Sequence, residues 1–122
     1  MGAQRNIDER ARYVEDAKTS AFLDAVYVIL AYNAEKHPYA PKLPPITPTE
    51  IFGDFDQAEY ENCCKRCAAL IRGAGDVAMA DYGYAEATQS YEEAFKHFKA
   101  SNPGFSDQSY GAALWKAKID FR

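Results

Sequence analysis

The chain has 122 residues, 48% of them hydrophobic and 26% charged, a composition that suits one globular domain and excludes general disorder. Fourteen lysines and arginines stand against eighteen aspartates and glutamates, leaving a net charge of −4. That balance runs against nucleic-acid binding, which needs a basic surface, and offers no polybasic anchor to an acidic membrane.

The start, Met1-Gly2-Ala3-Gln4-Arg5-Asn6, runs into charged residues rather than an apolar leader, and Asn6 stands where a myristoylation motif wants Ser or Thr. The three cysteines all fall in Cys63-Cys64-Lys65-Arg66-Cys67. An odd, clustered set is not a disulfide framework, so a reducing, cytoplasmic setting is expected.

A first long helix is predicted over residues 7–36, with Asn6 as its cap and Asp8 and Glu9 in its first turn. Ile7, Ala11, Val14, Phe22, Val26, Ile29 and Asn33 fall near one stripe. From Ala21 to Tyr32 the pattern is nearly all apolar, as in a helix contacted on several sides. That run is too short for a membrane span, which needs about 20 residues. Asp24, the single charge within it, is expected to reach partly into solvent. His37-Pro38 ends the helix.

Residues 38–48 hold five of the six prolines and read as an extended crossover within the same domain. Pro41-Lys42-Leu43-Pro44 fits the P-x-x-P pattern of an SH3-type ligand, a match short enough to arise often by chance. Thr47-Pro48-Thr49-Glu50 predicts a helix start: Thr47 as cap, Pro48 at the first position and Glu50 completing a capping box. Gly53 limits that helix to residues 48–52.

Asp56-Gln57-Ala58-Glu59 starts the next helix, over residues 57–81. Tyr60, Cys63 or Cys64, Cys67, Leu70 or Ile71, Ala74, and Val77 or Ala78 repeat there at helical spacing. Ala68, Ala69, Gly73 and Ala74 would admit close approach of another helix, while Gly73 and Gly75 would weaken or kink this one. A helix over residues 84–101 follows, ended by Asn102-Pro103-Gly104. Tyr91-Glu92-Glu93-Ala94 with Phe98 and Pro103 resembles the second helix of a tetratricopeptide repeat over about a dozen residues, without the 34-residue recurrence that a repeat fold needs. Ser106 caps a last helix over residues 107–120, with Lys116 and Lys118 near its C-terminal end. No segment reads as a strand. The expected fold is all-α: a four-helix bundle-like single domain, with one short extra helix after the proline-rich crossover.

The cysteine cluster puts Cys63 and Cys67 on one helix face, where with His97 they are weak candidate metal ligands. A second Cys-x-x-Cys, which a structural zinc site would use, is missing, and packing is the simpler role. His97 follows Glu93 by four residues, one too many for the Glu-x-x-His of di-iron bundles, and reads as a surface pair with it. Two acidic runs, Glu50 to Glu61 and Asp76 to Glu93, lack intervening bases. They suggest Mg²⁺ and phosphate chemistry, but the E-x-x-E pair of all-α pyrophosphohydrolases is missing.

Tyr82, Tyr84, Tyr91, Tyr110 and Trp115 gather in the C-terminal half and form the candidate binding face, since tyrosine and tryptophan combine apolar area with a polar tip. The expected function is a non-catalytic protein-interaction or regulatory module. It would bind another protein or itself, with no cofactor, nucleic acid or membrane. The alternatives are a helical metal- or phosphate-binding enzyme using the acidic runs, and a bundle with a small-ligand pocket near Cys67 and Tyr91.

Overall fold

The hydroxyls of Thr19 and Ser20 divide the first predicted helix in the computed structural model, which describes residues 2–81 and 90–120. Thr19 Oγ1 donates to the Glu15 carbonyl at 3.0 Å and Ser20 Oγ to that of Asp16 at 2.6 Å. Hydroxyls that compete for helix carbonyls in this way favour helix ends. Helix α1 (Gly2–Thr19) stops there, Ala21 is extended at ψ 159°, and α2 (Phe22–Ala31) starts afresh. The single helix expected over residues 7–36 is therefore two helices and a coda. The coda is a π-helical turn at Tyr32–Lys36 and a 3-10 turn at His37–Tyr39.

Asn6 does not cap α1, which begins four residues earlier. Ala3, Gln4 and Arg5 are good helix formers, and Gln4 bonds Asp8 one turn on at 2.9 Å. Ile7 and Ala11, expected on a buried stripe, stand in solvent.

The chain is all-α. Among the described residues the remaining helices are α3 (Pro48–Phe52), α4 (Gln57–Asp81), α5 (Tyr91–Ser101) and α6 (Asp107–Asp120), and there is no strand. The bounds of α3, α4 and α6 are those expected from their caps and breakers. Thr47 Oγ1 accepts from the Glu50 N–H, and Gly53 ends α3 at φ 68°, where a side chain would be strained. Helix α5 begins at Tyr91, not within a helix running from residue 84. Ser90 is extended and its hydroxyl accepts from the Glu93 N–H, an N-cap overlooked in the sequence. Residues 84–89 of that expected helix lie outside the described residues.

The chain divides into two compact units, Met1–Cys64 and Lys65–Arg122. In the first, α1 packs on α2 and on α3. Ile29, Tyr32 and Ile46 form its buried centre, with Tyr13, Val14, Ile51 and Phe52 against them. Leu23 to Tyr27 are all buried, so α2 is enclosed on most sides. Asp24 is buried with them at 8% exposure, contrary to the expected partial exposure. A ladder of rings runs Phe22–Phe52–Phe55–Tyr60 with centroids 4.6, 6.2 and 5.4 Å apart.

In the second unit α5 meets α4 at a glycine. A Cβ on Gly73 would stand 3.1 Å from the Phe98 ring and 3.2 Å from the Asn102 amide. The small residue at this position is the close approach that the sequence suggested. Phe98 in turn packs edge-on to Tyr110 of α6, with centroids 5.6 Å apart.

Candidate functional site

The proline-rich crossover is held to the first unit by three polar side chains. Arg10 of α1 donates from Nε to the Pro44 carbonyl at 2.9 Å and from Nη2 to that of Pro45 at 3.1 Å. The same guanidinium grips Glu50 of α3. Asn33, in the π-helical turn, pairs with both backbone groups of Ile46: its Nδ2 donates to the carbonyl at 2.9 Å, and its Oδ1 accepts from the N–H at 2.8 Å. His37 Nε2 lies 3.0 Å from the Leu43 carbonyl. Prolines cannot donate, so this segment depends on side chains to satisfy its carbonyls. Ala40 to Leu43 forms a turn, closed by the Leu43 N–H on the Ala40 carbonyl at 3.1 Å. The Pro41-Lys42-Leu43-Pro44 segment thus lacks the extended form of an SH3-type ligand, and Arg10 occupies its last carbonyl.

Electrostatics at this clamp follow from its geometry. The Arg10 guanidinium holds the Glu50 carboxyl below its ordinary value, outweighing partial burial, and the Thr47 backbone N–H adds to the effect. Burial pushes the phenols of Tyr13 and Tyr32 up.

The predicted aromatic face separates. Tyr110 is buried and donates its hydroxyl to the Asn102 carbonyl, so it belongs to the core of the second unit. It helps close the α5–α6 turn, where Asn102 Nδ2 donates to the Phe98 carbonyl and Arg66 to the Pro103 carbonyl. Arg66 also lies over the Phe105 ring at 5.9 Å, so the contribution of Arg66 is to the turn. Tyr91 is 36% exposed and Trp115 61%. Lys118, one turn beyond Trp115, carries its ammonium 5.4 Å from the Tyr91 ring. Tyr82 and Tyr84 lie outside the described residues.

Ile119 joins Trp115 one turn on at 42% exposure, and Gly111 and Ala112 lie one turn before it, also exposed. Together they make a continuous outer stripe on α6. The sequence reading took Trp115 but passed over these neighbours. The signal was present: with Tyr110, Ala113, Leu114 and Ala117 buried on the other side, α6 is apolar on both faces. A helix of a globular protein ordinarily is apolar on one.

Cys63 and Cys67 are buried, Cys64 is half-buried, and none of the three is in a disulfide. His97 is exposed and lies 3.4 Å from Ser101 Oγ rather than paired with Glu93. Among the described residues no group of three or more His, Cys, Asp or Glu is placed to hold a metal ion. Asp54, Asp56, Glu59, Glu61, Asp76, Glu92 and Glu93 are exposed. Among the described residues no helix is long and apolar enough to cross a membrane.

Comparison with protein-family models, with curated proteins and with solved structures found no match to this chain.

Proposed function

We propose that this protein is a small, non-catalytic interaction module whose outer α6 surface docks another protein chain. One observation carries the reading: α6 turns Gly111, Ala112, Trp115 and Ile119 outward while its opposite face is already buried. Exposed apolar residues scattered singly are normal, but a contiguous stripe with a tryptophan at its centre is the composition of a docking face. Lys118 and Tyr91 supply a polar rim. The reducing cytoplasm is the setting that three clustered cysteines outside any disulfide favour.

Site-specific photocrosslinking in cells tests the reading. A benzophenone side chain placed at Trp115 is expected to form adducts with a protein identified by mass spectrometry, and the same group at exposed Arg12 is not. Untagged protein should compete for the adduct, and its Trp115→Ala form should not. Absence of any protein adduct at position 115 sinks the reading.

A further inference from the structure

We propose that the occupant of the outer α6 face is a second copy of this chain, with the two α6 helices packed antiparallel about a two-fold axis level with Ala112 and Ala113. This rests on the reading of that face as a docking surface and names its partner. Three features of the stripe are self-complementary.

The first is size. Large Trp115 and Ile119 occupy one end of the stripe and small Gly111 and Ala112 the middle. Reversing the helix about an axis at residues 112–113 sets each Trp115 within one residue of the level of the partner's Gly111, a rise of about 1.5 Å. A knob thus meets a hole on each side, as an isologous interface requires.

The second is the glycine itself. A helix-interior glycine is destabilising, and close approach of another backbone is the usual compensation. Gly73 has that compensation within the chain, against Phe98. Gly75 and Gly111 have none, since a Cβ at either would meet nothing within 4 Å, and of the two only Gly111 lies on the outer stripe of α6. A second helix at this level would give Gly111 the role that Gly73 already has.

The third is charge. Asp107 and Lys118 are eleven residues apart, close to three turns, so they lie on one line along α6. A two-fold axis lying between the helices and perpendicular to both keeps each flank on its own side while reversing direction. Asp107 then faces the partner's Lys118, and Lys118 the partner's Asp107. The Asp107 side chain is 96% exposed beside Lys99 at 3.6 Å, and a carboxylate accepts from more than one cation. Lys118 is already held on this flank by Tyr91. Parallel pairing, with the axis along the helices, would put the two charged flanks on opposite sides of the contact and form neither pair.

A contact made by one helix of this length is small, so the pair should be weak and concentration-dependent. Sedimentation equilibrium of the full chain, from low micromolar to near-millimolar, is the test. The average mass of the wild type is expected to climb toward twice that of one chain. Trp115→Ala and Gly111→Gln should each weaken association by about tenfold or more, with helicity by circular dichroism unchanged. Asp107→Lys and Lys118→Asp should each weaken it, and the double exchange should restore it. A wild type that stays at the mass of one chain throughout overturns the proposal, as does a double exchange that fails to rescue. A monomer whose Trp115 still crosslinks to a different identified protein overturns self-pairing while leaving the docking reading standing.

Discussion

Arg10 and Glu50, forty residues apart, meet fork to fork, with Nη2–Oε1 at 2.7 Å and Nη1–Oε2 at 3.0 Å. The bidentate geometry ties the α1 helix to α3 across the proline-rich segment, and the remaining donors of the same guanidinium hold Pro44 and Pro45.

The folded state lowers the Glu50 carboxyl below its ordinary value. That contribution to stability is complete above the unfolded carboxylate pKa and is lost as pH falls through the lowered folded one. Glu50→Gln should therefore flatten the acid side of a stability–pH curve. The Glu50 side chain is 35% exposed, so solvent screening keeps the pair small, about 1 kcal/mol at neutral pH. Arg10→Ala should cost more, about 2 kcal/mol, because two proline carbonyls lose their donor as well. Denaturant titrations across pH check both. An unchanged acid limb in Glu50→Gln would contradict the linkage.

Asn33 offers a donor and an acceptor to the same residue of the crossover. Asn33→Ala should leave the N–H and carbonyl of buried Ile46 without those partners, at a cost of about 2–3 kcal/mol. Asn33→Asp keeps the acceptor but sets a carboxylate against the Ile46 carbonyl, so it should also destabilise. Amide exchange at Ile46 should quicken in both. Protection equal to the wild type would show that the crossover is held by packing alone.

Gly73 and Gly75 are two residues apart on α4 and should respond to alanine with opposite signs. A Cβ at Gly75 meets nothing within 4 Å, so Gly75→Ala should stabilise by up to about 1 kcal/mol. A Cβ at Gly73 crowds Phe98 and Asn102, both buried and already fixed by Tyr110 and by a backbone bond. Gly73→Ala should therefore destabilise by about 1–3 kcal/mol. Thermal unfolding midpoints that move in the same direction would contradict the close approach.

Tyr110 and Trp115 are separated in the same way by removing aromatic atoms. Tyr110→Phe leaves the Asn102 carbonyl without its hydroxyl donor in a buried turn and should cost about 1–2 kcal/mol. Trp115→Ala, at an exposed site, should change the stability of the isolated chain by less than about 0.5 kcal/mol. A large loss at position 115 would make it part of the core rather than of a docking face.

Helix starts and stops were the most legible features. Thr47-Pro48-Thr49-Glu50, Gly53 and Asp56-Gln57-Ala58-Glu59 mark α3 and the start of α4, because capping is chemistry between neighbours in the chain. The break at Thr19–Ser20 was missed because no proline or glycine marks it and the apolar spacing continues through it. Asp24 was misjudged because burial depends on what encloses a helix, which periodicity along that helix does not contain. The candidate face was half legible. Both Tyr110 and Trp115 are aromatic residues on one helix, and only packing against Phe98 and Phe105 assigns Tyr110 to the interior.

From sequence alone follow the helical class, the bounds of three helices, the proline crossover and the concentration of aromatics toward the C-terminus. Each rests on interactions within about four residues, or on composition. Tertiary structure alone decided that Arg10 reaches Glu50, that Asn33 reads the backbone of Ile46, that Gly73 rather than Gly75 receives a neighbour, and which side of α6 is buried. These are contacts between residues distant in the chain, or the lack of such a contact, and they exist only once helices have packed.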